Sequence, residues 1–145
     1  MSQMSDYLEN KLVDHIFRNR SFAVPTTVYV ALFTAAPTDA GGGTEVTGGS
    51  YARVLVGPSD TAWTATQGGT PAAASSGTGG NTSNGSTITF ATPTANWGSV
   101  TSFGIFDAST AGNLLIWGNL TTAKTVNNGD PAPTFSASAL SITFA

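Results

Sequence analysis

The chain has 145 residues and a mass of 14.7 kDa, room for one domain with a core but not for two of ordinary size. Only 9 % of its residues are charged and the net charge is −3, which leaves no basic stripe for nucleic-acid phosphates or an anionic membrane. There is no cysteine, so disulfides and thiolate metal sites are excluded, and no apolar run reaches the length of a bilayer span or signal-peptide core.

The charges that exist are unevenly placed. Asp6, Glu9, Lys11, Asp14, Arg18 and Arg20 crowd the first twenty residues, whereas no acid or base lies between Asp60 and Asp107. Near the N-terminus, Asp6 with Glu9 three residues on reads as a capping-box-like helix start. Leu8, Leu12 and Ile16 recur at four-residue spacing, Val13 and Phe17 widen the stripe, and the charges fall largely elsewhere. This predicts an amphipathic helix over residues 5–18 lying on a larger body. Leu8, Leu12 and Ile16 on its apolar stripe are candidates for an interaction surface. Pro25 bars the helix from continuing and extends the residue before it.

Beyond Pro25 the expected structure is β. The run Val28–Phe33 is branched, aromatic and nearly continuous in apolar character, as in a central strand covered on both faces. After a glycine-rich loop from Pro37 to Gly49, Tyr51–Val56 alternates as a half-buried strand, with Tyr51, Arg53 and Leu55 on one side. Residues 64–86 form a low-complexity stretch of Gly, Thr, Ser, Ala and Asn, a loop or arm that cannot fold alone and is a candidate contact element. Further strands are expected at Thr87–Ala91, Val100–Phe106, Leu114–Leu120 and Leu140–Phe144, with Thr121–Val126 as a short addition; turn residues separate them. The expected fold is therefore mostly β, an antiparallel β-sandwich or jelly-roll-like barrel with one N-terminal amphipathic helix, spanning residues 1–145 as one domain.

The inventory for chemistry is thin. His15 is the only histidine and shares the helix with Asp14, where adjacent residues diverge rather than form a relay. Asp107–Gly112 has the first and sixth positions of a calcium loop, but Ala111 and Gly118 stand where ligands are required, so a hairpin turn is expected. The glycine clusters lack the Lys-Ser/Thr ending of a phosphate loop. Asp39, Glu45, Asp60, Asp107 and Asp130 carry no local mark of a hydrolytic pair. No catalytic residue, metal ligand or cofactor is expected. Large aromatics on strands are usually core, as expected for Trp117, while Trp63 and Trp97 border loops and are candidates for an exposed interaction surface or a sugar-stacking platform.

Three blocks carry a resemblance: Ser5–Arg18, Pro25–Thr34 and Gly41–Val54, extended by Phe103–Gly118. Together they resemble a family of small tailed-phage virion proteins, commonly labelled phage tail-fibre or virion structural proteins. The resemblance implies assembly into a particle without catalysis or cofactor, and virion localisation after synthesis in the host cytoplasm. Implied partners are other phage structural proteins, either the major capsid protein or tail proteins, and a host surface glycan enters with the fibre reading. An uncharged Thr/Ser/Asn/Gly surface suits tight subunit contacts, since few charges must be desolvated. The first expectation is a capsid decoration (cement) protein on the head lattice, homo-oligomeric and in trimers. The alternatives are a small tail or tail-fibre component and a free carbohydrate-binding β module.

Overall fold

The computed structural model describes residues 2–69 and 73–144; residues 70–72 of the low-complexity stretch lie outside the described residues. It is mostly β, antiparallel and sandwich-like, with one helix near the N-terminus.

A short strand β1 (Ser2–Met4) leads into helix α1 (Asp6–Phe17). Ser5, not Asp6, is the N-cap: its extended backbone lets the side chain accept from the Leu8 N–H at 3.3 Å. The same hydroxyl donates to the Leu114 carbonyl, so one buried serine both caps the helix and ties it to the sheet. Asp6 and Glu9 occupy the first turn instead, where negative charge suits the helix dipole.

The main sheet is built from β2 (Tyr29–Ala35), β3 (Thr44–Glu45), β4 (Val54–Leu55), β7 (Gly98–Phe106) and β8 (Leu114–Val126), together with β1. Its order is β1-β8-β7-β2-β3, with β4 also on β2. Register explains why β2 reads as continuously apolar. Val30 and Leu32 face the same side as their partners Ile105 and Phe103 and enter the main core; Ala31 and Phe33 face the other side and join Phe106 and Leu114 in a second cluster. All four central residues of β2 are buried, and full burial of each large side chain is worth roughly 1.5–3 kcal/mol.

The second layer consists of two short ribbons, β5 (Asn81–Ser83) with β10 (Ser141–Thr143), and β6 (Ile88–Thr89) with β9 (Thr134–Phe135). Ile88, Phe90, Leu140 and Ile142 from these segments close the main core against Leu32, Val100 and Val126. Part of the expected low-complexity arm is therefore built into the fold. At its end Asn84 is fully buried, donating through Nδ2 to the Ser86 and Ser136 carbonyls at 2.8 Å each and accepting from the Leu140 N–H at 2.8 Å.

Several expected strands differ in extent: of Thr87–Ala91 only Ile88–Thr89 pairs, and of Leu140–Phe144 only Ser141–Thr143. Only Val54–Leu55 of Tyr51–Val56 pairs with β2, because Tyr51 turns inward: its hydroxyl takes the Leu32 N–H at 2.9 Å, filling the gap between β3 and β4. Leu114–Leu120 and Thr121–Val126 are one strand, not two.

Candidate functional site

Two hollows flank the main sheet. The first lies on the Phe33–Phe106 side and has a volume of about 430 Å³. Arg53 and Glu45 form its wall. The Arg53 guanidinium donates to both Glu45 oxygens, at 2.8 and 2.7 Å, and to the carbonyls of Ala108 and Ala111 at 2.9 and 2.8 Å. It also sits 3.6 Å over the Phe106 ring. With its donors engaged in this way, Arg53 clamps the β7–β8 turn rather than offering charge to a ligand.

In that turn Asp107 accepts from the backbone N–H and the Nδ2 of Asn113, both at 2.7 Å. Its carboxylate stitches a hairpin closed, as expected for a turn in place of a calcium loop. Among the described residues no group of three or more His, Cys, Asp or Glu side chains gathers to hold a metal. The Nδ1 of His15 accepts from the Phe22 N–H at 3.3 Å and helps fold the chain back after α1.

The second hollow is larger, about 670 Å³, and opens between the far half of β8 and the segment Asp130–Phe135. Its floor is the edge of the main core, Leu32, Phe90 and Val100. One wall arises from an irregularity in β8. Val100 pairs with Lys124 but Ser102 pairs with Asn119, so the single residue Thr101 faces the four residues Leu120–Ala123, which bulge from the sheet. β1 covers β8 only from Ile116 to Gly118. Among the described residues, no strand pairs with the outer edge of β8 beyond Gly118. The opposite wall carries Pro131 and Pro133, which have no N–H to give.

The aromatic candidates do not form a platform. Trp97 is only 5 % exposed, its indole N–H donating to the Gly49 carbonyl at 2.9 Å and its ring edge-on to Tyr51 at 5.3 Å. The expectation of an exposed Trp97 is corrected: a backbone partner for the indole N–H removes the cost of burying it. Trp63 is half-buried against the core and donates to the Val56 carbonyl at 2.7 Å. Trp117, expected in the core, is half-buried on the opposite face, where its N–H reaches Asp39 Oδ1 at 3.1 Å.

The helix stripe divides along its length. Leu8 is buried and Leu12 half-buried against the core, while Ile16 is 64 % exposed. Phe17 at the end of the helix is 79 % exposed, and Val24 in the following segment 78 %. The sequence placed Leu8, Leu12 and Ile16 on one stripe; that the body covers only its first half depends on where β8 runs. Nothing in the local sequence marked the β8 groove beyond the two prolines that face it.

No curated protein matches the chain significantly. Residues 3–143 match a family model described as Podophage GP4 fiber I protein gp80. The match covers nearly the whole chain, and with it the helix, the sheet and both hollows. The chain thus belongs to the Podophage GP4 fiber I protein gp80 family, a family of tailed-phage virion structural proteins.

Proposed function

We propose that the protein is a non-enzymatic subunit of a phage tail fibre, working through surface contacts with neighbouring structural proteins. The family match over residues 3–143 carries this reading. The chemistry of the side chains supports it. Arg53, Glu45, Asp107 and Asn84 are engaged in holding turns and strands together, and His15 closes a turn. The exposed apolar surface of Ile16, Phe17 and Val24 is the kind that marks a contact site when it is rimmed by polar groups.

A second reading is a capsid decoration protein, bound as an oligomer to the head lattice. It draws on the absence of any acid or base between Asp60 and Asp107, which lowers the desolvation cost of a broad interface. A glycan-binding role has less support, since Trp97 is buried and Trp63 half-buried.

Gold labelling of an epitope-tagged copy on intact particles separates these readings. Label at the tail fibres is expected. Label confined to the head shell would favour decoration, and particles without label would end both.

A further inference from the structure

We infer that the outward face of α1 is a two-fold contact between copies of this chain, in which two α1 helices lie antiparallel and cross at Val13. The inference goes beyond the fibre reading and does not rest on it.

The helix buries one side and leaves the other bare. Leu8 is buried and Tyr7, Lys11 and Leu12 are half-buried, on the side turned toward β1 and β8. Val13, Ile16 and Phe17, three and four residues apart, fall away from that side and are 49, 64 and 79 % exposed. Asp6 and Glu9 stand on the same outward side before Val13 and are exposed as well. Past the helix end Asn19 takes a left-handed backbone, with φ of 53°, and the chain is tied back. The Arg20 N–H donates to the Asp14 carbonyl at 3.0 Å and the Phe22 N–H to His15 Nδ1 at 3.3 Å. These bonds hold the exposed Arg20 level with the last turn. The face therefore runs from two acids through three apolar side chains to a base. None of its end charges is paired within the chain: the ion pairs among the described residues are Asp14–Arg18 and Glu45–Arg53.

That order is its own complement when a second helix is turned end for end. In a two-fold contact the same patch serves both partners, so whatever residue i meets at j is met again as j against i. Along the axis Asp6 and Glu9 lie roughly 10 and 6 Å before Val13, and Arg20 roughly 7 Å beyond it, at about 1.5 Å per residue. An axis at Val13 thus sets Val13 against its own copy and Arg20 opposite the first turn of the partner helix, within reach of its two acids. Ile16 and Phe17 cover the bare stretch between. The helix dipoles oppose one another in the same arrangement, whereas a parallel pair would set acids against acids.

Charge selects a second copy as the occupant. A different protein would have to present the same sequence of charges reversed about an apolar centre; a copy of this chain does so by identity. From Asp6 to Arg20 there are three acids and three bases, so two chains that each carry −3 meet where neither has net charge.

The test uses the purified full-length protein. Sedimentation velocity should show a monomer–dimer equilibrium that weakens as salt rises, since the end pairs are exposed to screening. Val13→Glu sets like charges face to face at the axis while keeping a good helix former, and should weaken dimerisation at least tenfold, with the circular-dichroism spectrum and the melting temperature at dilution unchanged. Glu9→Arg and Arg20→Glu should each weaken it at least threefold, and the double variant should restore it, because the swap rebuilds the pair in reverse; a merely structural role would not be rescued. The chain has no cysteine, so Val13→Cys should give a disulfide-linked dimer under mild oxidation, while Leu55→Cys, comparably exposed on β4, stays monomeric. A monomer at every concentration up to the solubility limit, a dimer indifferent to Val13→Glu, or a double variant without rescue would overturn the inference. A monomeric protein that gold labelling still finds at the fibres sinks only this inference, whereas a dimer absent from the particle sinks only the fibre reading.

Discussion

Arg53 meets Glu45 as a fork against a fork, Nε to Oε1 at 2.8 Å and Nη2 to Oε2 at 2.7 Å, with the Arg53 side chain 8 % exposed. The same guanidinium holds the carbonyls of Ala108 and Ala111, so the pair joins the β3–β4 segment to the β7–β8 turn. Removing one partner of a buried pair costs roughly 3–5 kcal/mol, because the other charge is left without compensation. Arg53→Ala is expected to lose about that much in urea unfolding. Arg53→Lys should also lose more than about 1 kcal/mol, since an ammonium cannot reproduce the two-point geometry. A midpoint unchanged in either variant contradicts the clamp.

Asn84 holds the second layer together by the same kind of logic without charge. Its amide donates to two carbonyls and its oxygen accepts from Leu140 in a fully buried site. Asn84→Ala is expected to cost about 3 kcal/mol, since each abandoned buried group carries a desolvation penalty of roughly 1–3 kcal/mol. Asn84→Asp should be at least as severe, because a carboxylate would face the carbonyls that the amide now serves. Calorimetry on both variants would detect the loss; wild-type stability in Asn84→Asp is the contrary result.

Tyr51 predicts a specific alkaline behaviour. Burial pushes its hydroxyl well above the ordinary value of about 10. The Leu32 N–H partly opposes this, and the adjacent Glu45 charge adds to it. The folded state thus keeps a proton that the unfolded state releases. Its contribution is complete below pH of about 10 and falls as pH rises beyond that, with a slope approaching 1.4 kcal/mol per pH unit from this one group. Ultraviolet titration of wild type against Tyr51→Phe should show the Tyr51 phenolate appearing only as the protein unfolds. In Tyr51→Phe the alkaline slope should shrink. A Tyr51 phenolate formed near the ordinary value of about 10 in the still-folded protein would refute the assignment.

The two halves of α1 should respond differently to substitution. Leu8 is buried, so Leu8→Ala is expected to cost about 2–4 kcal/mol. Ile16 and Phe17 are exposed, so Ile16→Ser with Phe17→Ser should change stability by no more than about 0.5 kcal/mol. If the bare half is a contact surface, the double variant should nevertheless be depleted from purified particles in a competition with wild-type protein. Equal incorporation would remove that surface from the fibre reading.

What the sequence made legible was what local pattern determines. β2 and β7 are long, branched and aromatic, and their reading as strands survives with bounds shifted by one or two residues, to Tyr29–Ala35 and Gly98–Phe106. The helix was legible from its stripe, though the cap shifted by one residue because Ser5 has a partner across the chain in Leu114. Strands β1, β3, β5 and β9 have two or three residues each; their conformation is imposed by partners far along the chain, so no local period announces them. Tyr51 and Trp97 likewise follow from distant backbone groups, at Leu32 and Gly49. The groove exists because β1 stops at Gly118 while β8 runs to Val126, a mismatch of lengths that no single segment encodes.

The most direct measurement is a cryo-electron-microscopy difference map between wild-type particles and particles grown without this protein. The fibre reading predicts density missing from the tail fibres, fitted by the six-stranded sheet and its helix, with the head shell unchanged. Density missing from the head lattice, with intact fibres, would contradict it.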